Sequence, residues 1–212
     1  MDGSARLERL ARSRLYLVLE GRPHGADPGP LLDAALGGGV DVVQLRDKYL
    51  DDDAFVAAAE PFRAACAVHD ALFVLNDRPQ LVAACGADGV HVGRNDIPVG
   101  AARSLIGAER LLGLSASTPD ELGDVEGVDY VGVTAFATPT KDDAVPGGLE
   151  LLRAAAESLT VPWFAIGGID LSTVAEVARA GAPGVAVVRA IRDASDPEAA
   201  ARALRAALDR QQ

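Results

Sequence analysis

The sequence predicts an α/β fold of the (β/α)8 TIM-barrel type. Short β-branched runs alternate eight times with Ala/Leu/Glu/Arg-rich runs, very little chain is left between them, and several helical runs open on Pro or Asp and stop before Gly. The strands are expected at 14–20 (RLYLVLE), 41–47 (DVVQLRD), 72–77 (LFVLND), 89–93 (GVHVG), 111–116 (LLGLSA), 130–135 (YVGVTA), 162–167 (PWFAIG) and 184–190 (GVAVVRA). A helical stretch follows each in turn: 29–37, 52–69, 79–85, 98–107, 119–125, 148–159, 171–180 and 196–210. Alternating strands and helices require parallel pairing with right-handed crossovers, and eight such units close into a barrel. A doubly wound open sheet is the competing topology.

Composition limits the function classes. The 212 residues are 49% hydrophobic, with no Pro/Ser/Gly-rich linker or abrupt shift, so a single domain spanning 1–212 is expected. Met1 to Arg14 carries Asp2, Arg6, Glu8, Arg9, Arg12 and Arg14 without a long apolar run, unlike a signal peptide or membrane span, and a cytoplasmic protein is expected. Cys66 and Cys85 sit in alanine-rich helical patterns and read as small buried thiols rather than a disulfide or metal pair. The net charge of -11 argues against nonspecific nucleic-acid binding and against an anionic membrane surface. Anionic substrates would need local cations to overcome that field, and self-association into a homo-oligomer stays open.

Those local cations stand on the second strand. Side chains alternate faces along a strand, so Gln44, Arg46 and Lys48 share one face while Val43 and Leu45 take the other. Two cations facing inward need anionic partners, and a bidentate fork with a point charge suits phosphate oxygens. An ordinary strand end in water is the blander reading. In a barrel, whatever follows each strand lies at the C-terminal mouth. Strand three ends in Asn76-Asp77, and the loop after strand four runs Gly93-Arg94-Asn95-Asp96. Asp77 and Asp96 could hold Mg2+, a hard cation that keeps waters and joins one or two carboxylates to substrate phosphates. Either aspartate could instead cap the helix after it, before Pro79 or Pro98.

Strand five brings Ser115, with Ser117 and Thr118 behind it, where capping before Pro119 is the alternative. The lid-like loop 136–147 after strand six is long for so economical a chain, and loops of that length are usually functional. Its Thr138, Thr140 and Lys141 could clamp phosphate oxygens; a solvated loop would look similar. Gly167-Gly168 after strand seven and Arg189-Ala190 after strand eight lie where barrels expose backbone N–H groups to phosphate. Two anion sites in one mouth imply two phosphorylated substrates. His91 on strand four reads as a satisfied polar residue of the barrel interior more than as a general base. No nucleophile elbow or triad pattern is present, nor a dinucleotide or P-loop signature.

The motifs Gln44-Leu45-Arg46-Asp47-Lys48, Asn76-Asp77-Arg78, Gly89-Val90-His91-Val92-Gly93 with Asp96, Thr138-Pro139-Thr140-Lys141 and Ala165-Ile166-Gly167-Gly168-Ile169 together resemble the thiamine phosphate synthase family, in order, over about residues 14 to 200. The resemblance implies a transferase that joins 4-amino-2-methyl-5-hydroxymethylpyrimidine diphosphate to 4-methyl-5-(2-hydroxyethyl)thiazole phosphate and releases diphosphate. It places Gln44 against the pyrimidine. Arg46, Lys48, Asn76, Ser115 and Lys141 would hold the diphosphate, Asp77 and Asp96 magnesium, and Thr138, Thr140, Gly168 and the backbone around Val188-Arg189 the thiazole and its phosphate. Arg94, Ser117, Thr134-Ala135 and Arg189 depart from the family pattern, where glutamine, histidine, Gly-Pro and a small serine are usual. That puts fine geometry in question rather than the reaction. A thiazole tautomerase of the same barrel, which needs no diphosphate site, and a non-catalytic phosphate-ligand sensor are the alternatives. A sugar-phosphate isomerase or decarboxylase also stays open, since Lys48 and Asp77 could transfer protons.

Overall fold

The computed structural model describes residues 1–136 and 147–210 and contains a closed, all-parallel barrel in the order β1-β2-β3-β4-β5-β6-β7-β8. The strands are β1 (Leu15–Leu19), β2 (Val42–Leu45), β3 (Leu72–Asn76), β4 (Gly89–Val92), β5 (Leu111–Ala116), β6 (Tyr130–Thr134), β7 (Trp163–Ile166) and β8 (Val185–Val187). All eight lie inside the ranges expected from the sequence, and the open-sheet alternative is excluded by the pairing of β1 with β8. The helices are α1 (Gly3–Arg12), α2 (Gly29–Gly37), α3 (Asp52–Val68), α4 (Val82–Cys85), α5 (Val99–Ile106), α6 (Pro119–Gly123), α7 (Gly148–Ser158), α8 (Val174–Arg179), α9 (Arg189–Arg192) and α10 (Pro197–Asp209). A 3-10 turn over Pro79–Leu81 opens the segment that α4 completes.

Strand alternation sorts the apolar residues into two layers. Val43 and Leu45 of β2, Leu75 of β3 and Val131 and Val133 of β6 face outward and pack with Phe55, Phe62 and Leu204 of the helices. Tyr16, Val18, Val42, Leu72, Val74, Tyr130, Phe164 and Ala186 fill the interior. The register carries that interior set from strand to strand: Tyr16 lies beside Val42, Asn76 beside His91, and His91 beside Gly113. Gly113 is required there. A Cβ on it would stand 2.2 Å from the Tyr130 ring and 2.6 Å from His91 Nδ1, so its missing side chain makes room for both rings.

Helix α9 was not among the expected elements and begins at Arg189, inside the range expected for strand eight; nor was helix α1. Its polar sequence buries little except Leu10, which joins the interior cluster, and Arg6, whose Nε lies 2.8 Å from Asp88 just before β4. It thereby closes the N-terminal end of the barrel. A cavity of about 390 Å³ at that same end is lined by Arg9, Arg12, Asp41, His69 and Asp70, remote from the strand C-termini. Cys66 and Cys85 are buried free thiols, and burial followed by the Asp88 charge pushes the Cys66 thiol up to about 12. Among the described residues no helix is long and apolar enough to cross a membrane.

Candidate active site

At the C-terminal ends of β2 and β3 a second cavity of about 290 Å³ is lined by Asp47, Lys48, Asn76, Asp77 and Arg78. Gln44 and Arg46 lead into this mouth. Gln44 is buried at 4% exposure, and its Nε2 donates to the Tyr16 hydroxyl at 2.8 Å; that hydroxyl in turn meets the Tyr130 hydroxyl at 3.1 Å. Burial holds both phenols above their ordinary range, so they act as neutral hydrogen-bonding groups. Arg46 is half-buried and Lys48 exposed, and no side-chain hydrogen bond or ion pair ties either to another described residue, although the Arg46 backbone N–H donates to the Leu19 carbonyl at 2.8 Å. Lys48 and Lys141 are the only lysines of the chain.

Asp77 follows β3 with a left-handed backbone, φ 62, held by its N–H donating to the His91 carbonyl at 2.9 Å. A non-glycine residue in that region is strained unless its surroundings fix it, and such strain gathers at sites. The turn after β4 carries Asp96, whose carboxylate accepts from the Gly93 N–H at 2.7 Å. The Asp77 carboxyl lies beside that of Asp96. Partial burial, that contact and the Asp96 charge push the Asp77 carboxyl up to about 6, while Arg46 and Lys48 pull it the other way. Neither aspartate caps a helix: the 3-10 turn after Asp77 and the helix α5 after Asp96 have no side-chain cap. Two hard-oxygen donors crowded together beside an amide and two cations suit a magnesium ion completed by water and substrate phosphate. No group of three or more ligating side chains occurs among the described residues, so protein alone supplies a partial shell.

Ser115 faces the interior and its hydroxyl lies 3.0 Å from His91 Nε2. The capping alternative fails for it, because Thr118 takes that place, accepting from the Glu121 N–H at 3.3 Å. His91 also lies 5.5 Å, ring to ring, from Tyr130. In a closed ring of eight, β3 and β7 are four strands apart, so Gly167, Gly168, Val188 and Arg189 face the carboxylate pair across the mouth. Gly167 has φ 108 and its Cβ would fall 2.3 Å from the Phe136 carbonyl; Gly168 is exposed with φ 58. Val188 packs on the interior cluster and Arg189, exposed, begins α9. Thr138, Thr140 and Lys141 lie outside the described residues.

Two positions that depart from the family pattern turn out to be mutually bonded: Ser117 Oγ lies 3.0 Å from Thr134 Oγ1. Sequence reading had not singled out Tyr16 and Tyr130 or given Arg78 a role. Arg78 binds Asp52 at 2.7 Å and the Leu50 carbonyl, and its guanidinium sits 4.5 Å over the Phe55 ring, fastening the loop that carries Lys48. Both tyrosines stand at the start of their strands, Tyr16 second in β1 and Tyr130 first in β6, and a polar-tipped aromatic entering an otherwise aliphatic strand was the available signal.

A family model described as thiamine monophosphate synthase matches residues 15–191. The chain belongs to that family. It is 46% identical to the thiamine-phosphate synthase of Streptomyces avermitilis over 206 residues, covering 95% of each chain. It is 42% identical to that of Synechocystis over 211 residues, 98% of this chain, and spans 61% of the length of that relative. Among solved structures it is similar to a thiamine phosphate pyrophosphorylase from Pyrococcus furiosus, with TM-score 0.85, 30% identity and 95% of this chain covered. A likeness to a 3-hexulose-6-phosphate synthase from Salmonella typhimurium, TM-score 0.71 at 19% identity, is one of fold.

Proposed function

We propose that the chain is a magnesium-dependent thiamine phosphate synthase, condensing the pyrimidine diphosphate with the thiazole phosphate to give thiamine phosphate and diphosphate. Membership of the family supports the reading, and one observation carries it to this chain: the adjoining Asp77 and Asp96 carboxyls, flanked by Arg46 and Lys48, whose side chains make no hydrogen bond or ion pair with another described residue. A tautomerase has no need of that arrangement, and a sensor would bind without turnover. Free buried thiols suit a cytoplasmic setting, and the acidic chain suits small-molecule substrates rather than nucleic acid.

In the reaction the bond between the pyrimidine methylene carbon and the diphosphate oxygen breaks, and the oxygen keeps the electron pair. The aminopyrimidine donates into the resulting methylene cation, and the thiazole nitrogen supplies the pair for the new C–N bond. Arg46 and Lys48 stabilise charge developing on the departing diphosphate, with Asn76, Ser115 and Lys141 as further donors. Magnesium held by Asp77 and Asp96 would add Lewis-acid charge stabilisation to the leaving group. Gln44, with its Nε2 committed to Tyr16, turns its carbonyl oxygen to accept from the pyrimidine amino group. Gly167, Gly168 and the backbone at Val188-Arg189, together with Thr138 and Thr140, hold the thiazole phosphate, so that the two reactants meet in line. No protein nucleophile is needed.

The test is conversion of both substrates to thiamine phosphate by purified protein with magnesium, read as fluorescent thiochrome after oxidation, with Asp77→Ala and Arg46→Ala in parallel. Magnesium-dependent product strongly reduced in both variants is expected. Folded protein that binds thiazole phosphate and forms no product would overturn the reading.

A further inference from the structure

Among the described residues, the Arg94 side chain ties the turn that carries Asp96 to β5 and α6. Its Nε donates to the Ser115 carbonyl at 3.1 Å, one Nη donates to the Glu121 carbonyl in α6, and the other lies 2.7 Å from Asp124. The same helix is tied back to β5 and β6: Glu121 Oε2 accepts from the Ser117 N–H at 2.5 Å, and Ser117 Oγ meets Thr134 Oγ1. Arg94 therefore stands at the head of a bonded chain that runs from the loop after β4, through the end of β5 and α6, to the end of β6. All three guanidinium nitrogens are spent on protein acceptors, and the side chain is 20% exposed. It is a strut rather than a ligand for substrate.

The need for a strut follows from what sits two residues away. Asp77 is fixed by its bond to the β4 backbone, and Asp96 presses a second carboxyl against it. Like charges this close repel, and without Arg94 the turn, tied within itself by the two Gly93–Asp96 bonds, could relax by swinging Asp96 outward. A cation would then have to pull the turn back, at a cost in affinity. A planar fork with three divergent acceptors resists that swing in a way one ammonium cannot. Because Asp124 is 83% exposed, its ion pair is screened, and the two carbonyl bonds carry the restraint.

We infer that Arg94 is a positioning residue of the metal site, holding the 93–96 turn so that Asp96 meets Asp77 before any cation arrives. The inference rests on the reading of Asp77 and Asp96 as the magnesium pair. Its test uses metal-free protein without substrates. Mn2+ affinity is measured by electron paramagnetic resonance, and amide exchange at Gly93 to Asp96 is followed by mass spectrometry, for the parent, Arg94→Ala, Arg94→Lys and Asp124→Asn. In Arg94→Ala, Mn2+ affinity should fall about ten-fold or more, as for losses of groups that orient ligands, and exchange at the turn should accelerate about ten-fold. Arg94→Lys should recover part of both, and Asp124→Asn should change either by less than about three-fold. Arg94→Ala that binds Mn2+ as the parent does, whatever its exchange, overturns the inference and leaves the metal pair standing. A parent that binds no Mn2+ overturns the metal pair and the inference together.

Discussion

The Gln44 side-chain amide and the Tyr16 hydroxyl are joined over 2.8 Å in a fully buried setting, and that bond fixes which way round the amide is held. Removing the hydroxyl in Tyr16→Phe leaves a buried N–H without its acceptor, a loss of about 1–3 kcal/mol. The variant should unfold at lower denaturant concentration. It should also raise KM for the pyrimidine diphosphate several-fold while KM for the thiazole phosphate stays near the parent value. Equal rises in both constants would show that Tyr16 serves the barrel as a whole.

The Asp77 carboxyl gives a pH prediction of definite sign. Its folded value of about 6 stands above its ordinary 3.8, so the fold favours the protonated form. The penalty for ionising it is absent below about pH 4, grows as pH rises toward 6 and is complete above that. Asp77→Asn removes the penalty and keeps a residue that tolerates φ 62. In urea without magnesium the variant should be more stable than the parent at pH 7, by about 1 kcal/mol once screening at this partly exposed site is allowed for, and equal to it at pH 4. Its synthase activity should be lost by about a hundred-fold or more. A parent as stable as the variant at pH 7 would remove the electrostatic account of the pair.

Arg46 and Arg78 stand at neighbouring strand ends and should behave oppositely. The Arg46 side chain has no hydrogen bond or ion pair to lose among the described residues, and its backbone bond to Leu19 survives truncation, so Arg46→Ala should leave the melting temperature nearly unchanged while kcat/KM falls by about 10²–10³. Arg78 bonds Asp52 and Leu50 and covers Phe55, so Arg78→Ala should cost about 1–2 kcal/mol of stability. Thermal unfolding and steady-state kinetics on the two variants side by side check the division.

Gly167→Ala asks a β-carbon to enter 2.3 Å from the Phe136 carbonyl at φ 108. The turn must shift, at a cost of about 3 kcal/mol. Both the melting temperature and the affinity for thiazole phosphate, measured by calorimetry, should drop. Unchanged affinity would place that phosphate elsewhere in the mouth.

The barrel was legible because eight strands buried on both faces leave unbroken β-branched runs, and helix caps such as Asp51, Thr118 and Asp196 mark the intervening starts. Helix α1 escaped notice because only Leu10 and Arg6 of it are buried, and two positions make no periodic stripe. In the site, Gln44, Arg46, Lys48 and the two aspartates could be read from strand ends. The cap reading of Ser115 could not be settled from spacing, since Ser115 and Thr118 both precede Pro119 and only the direction of each side chain separates them. The Arg94 strut was illegible for the same reason: its acceptors are two backbone carbonyls and Asp124, and carbonyl direction leaves no mark in sequence.

The arginine-rich surface leaves the chain with only Lys48 and Lys141 as lysines, the first exposed at the mouth and the second between β6 and α7. An amine-directed reagent thus has two side-chain targets besides the amino terminus. Coupling the protein to a support or dye through its amines would tend to silence it, and protection of Lys48 from such a reagent by diphosphate would turn ordinary labelling chemistry into a direct gauge of occupancy.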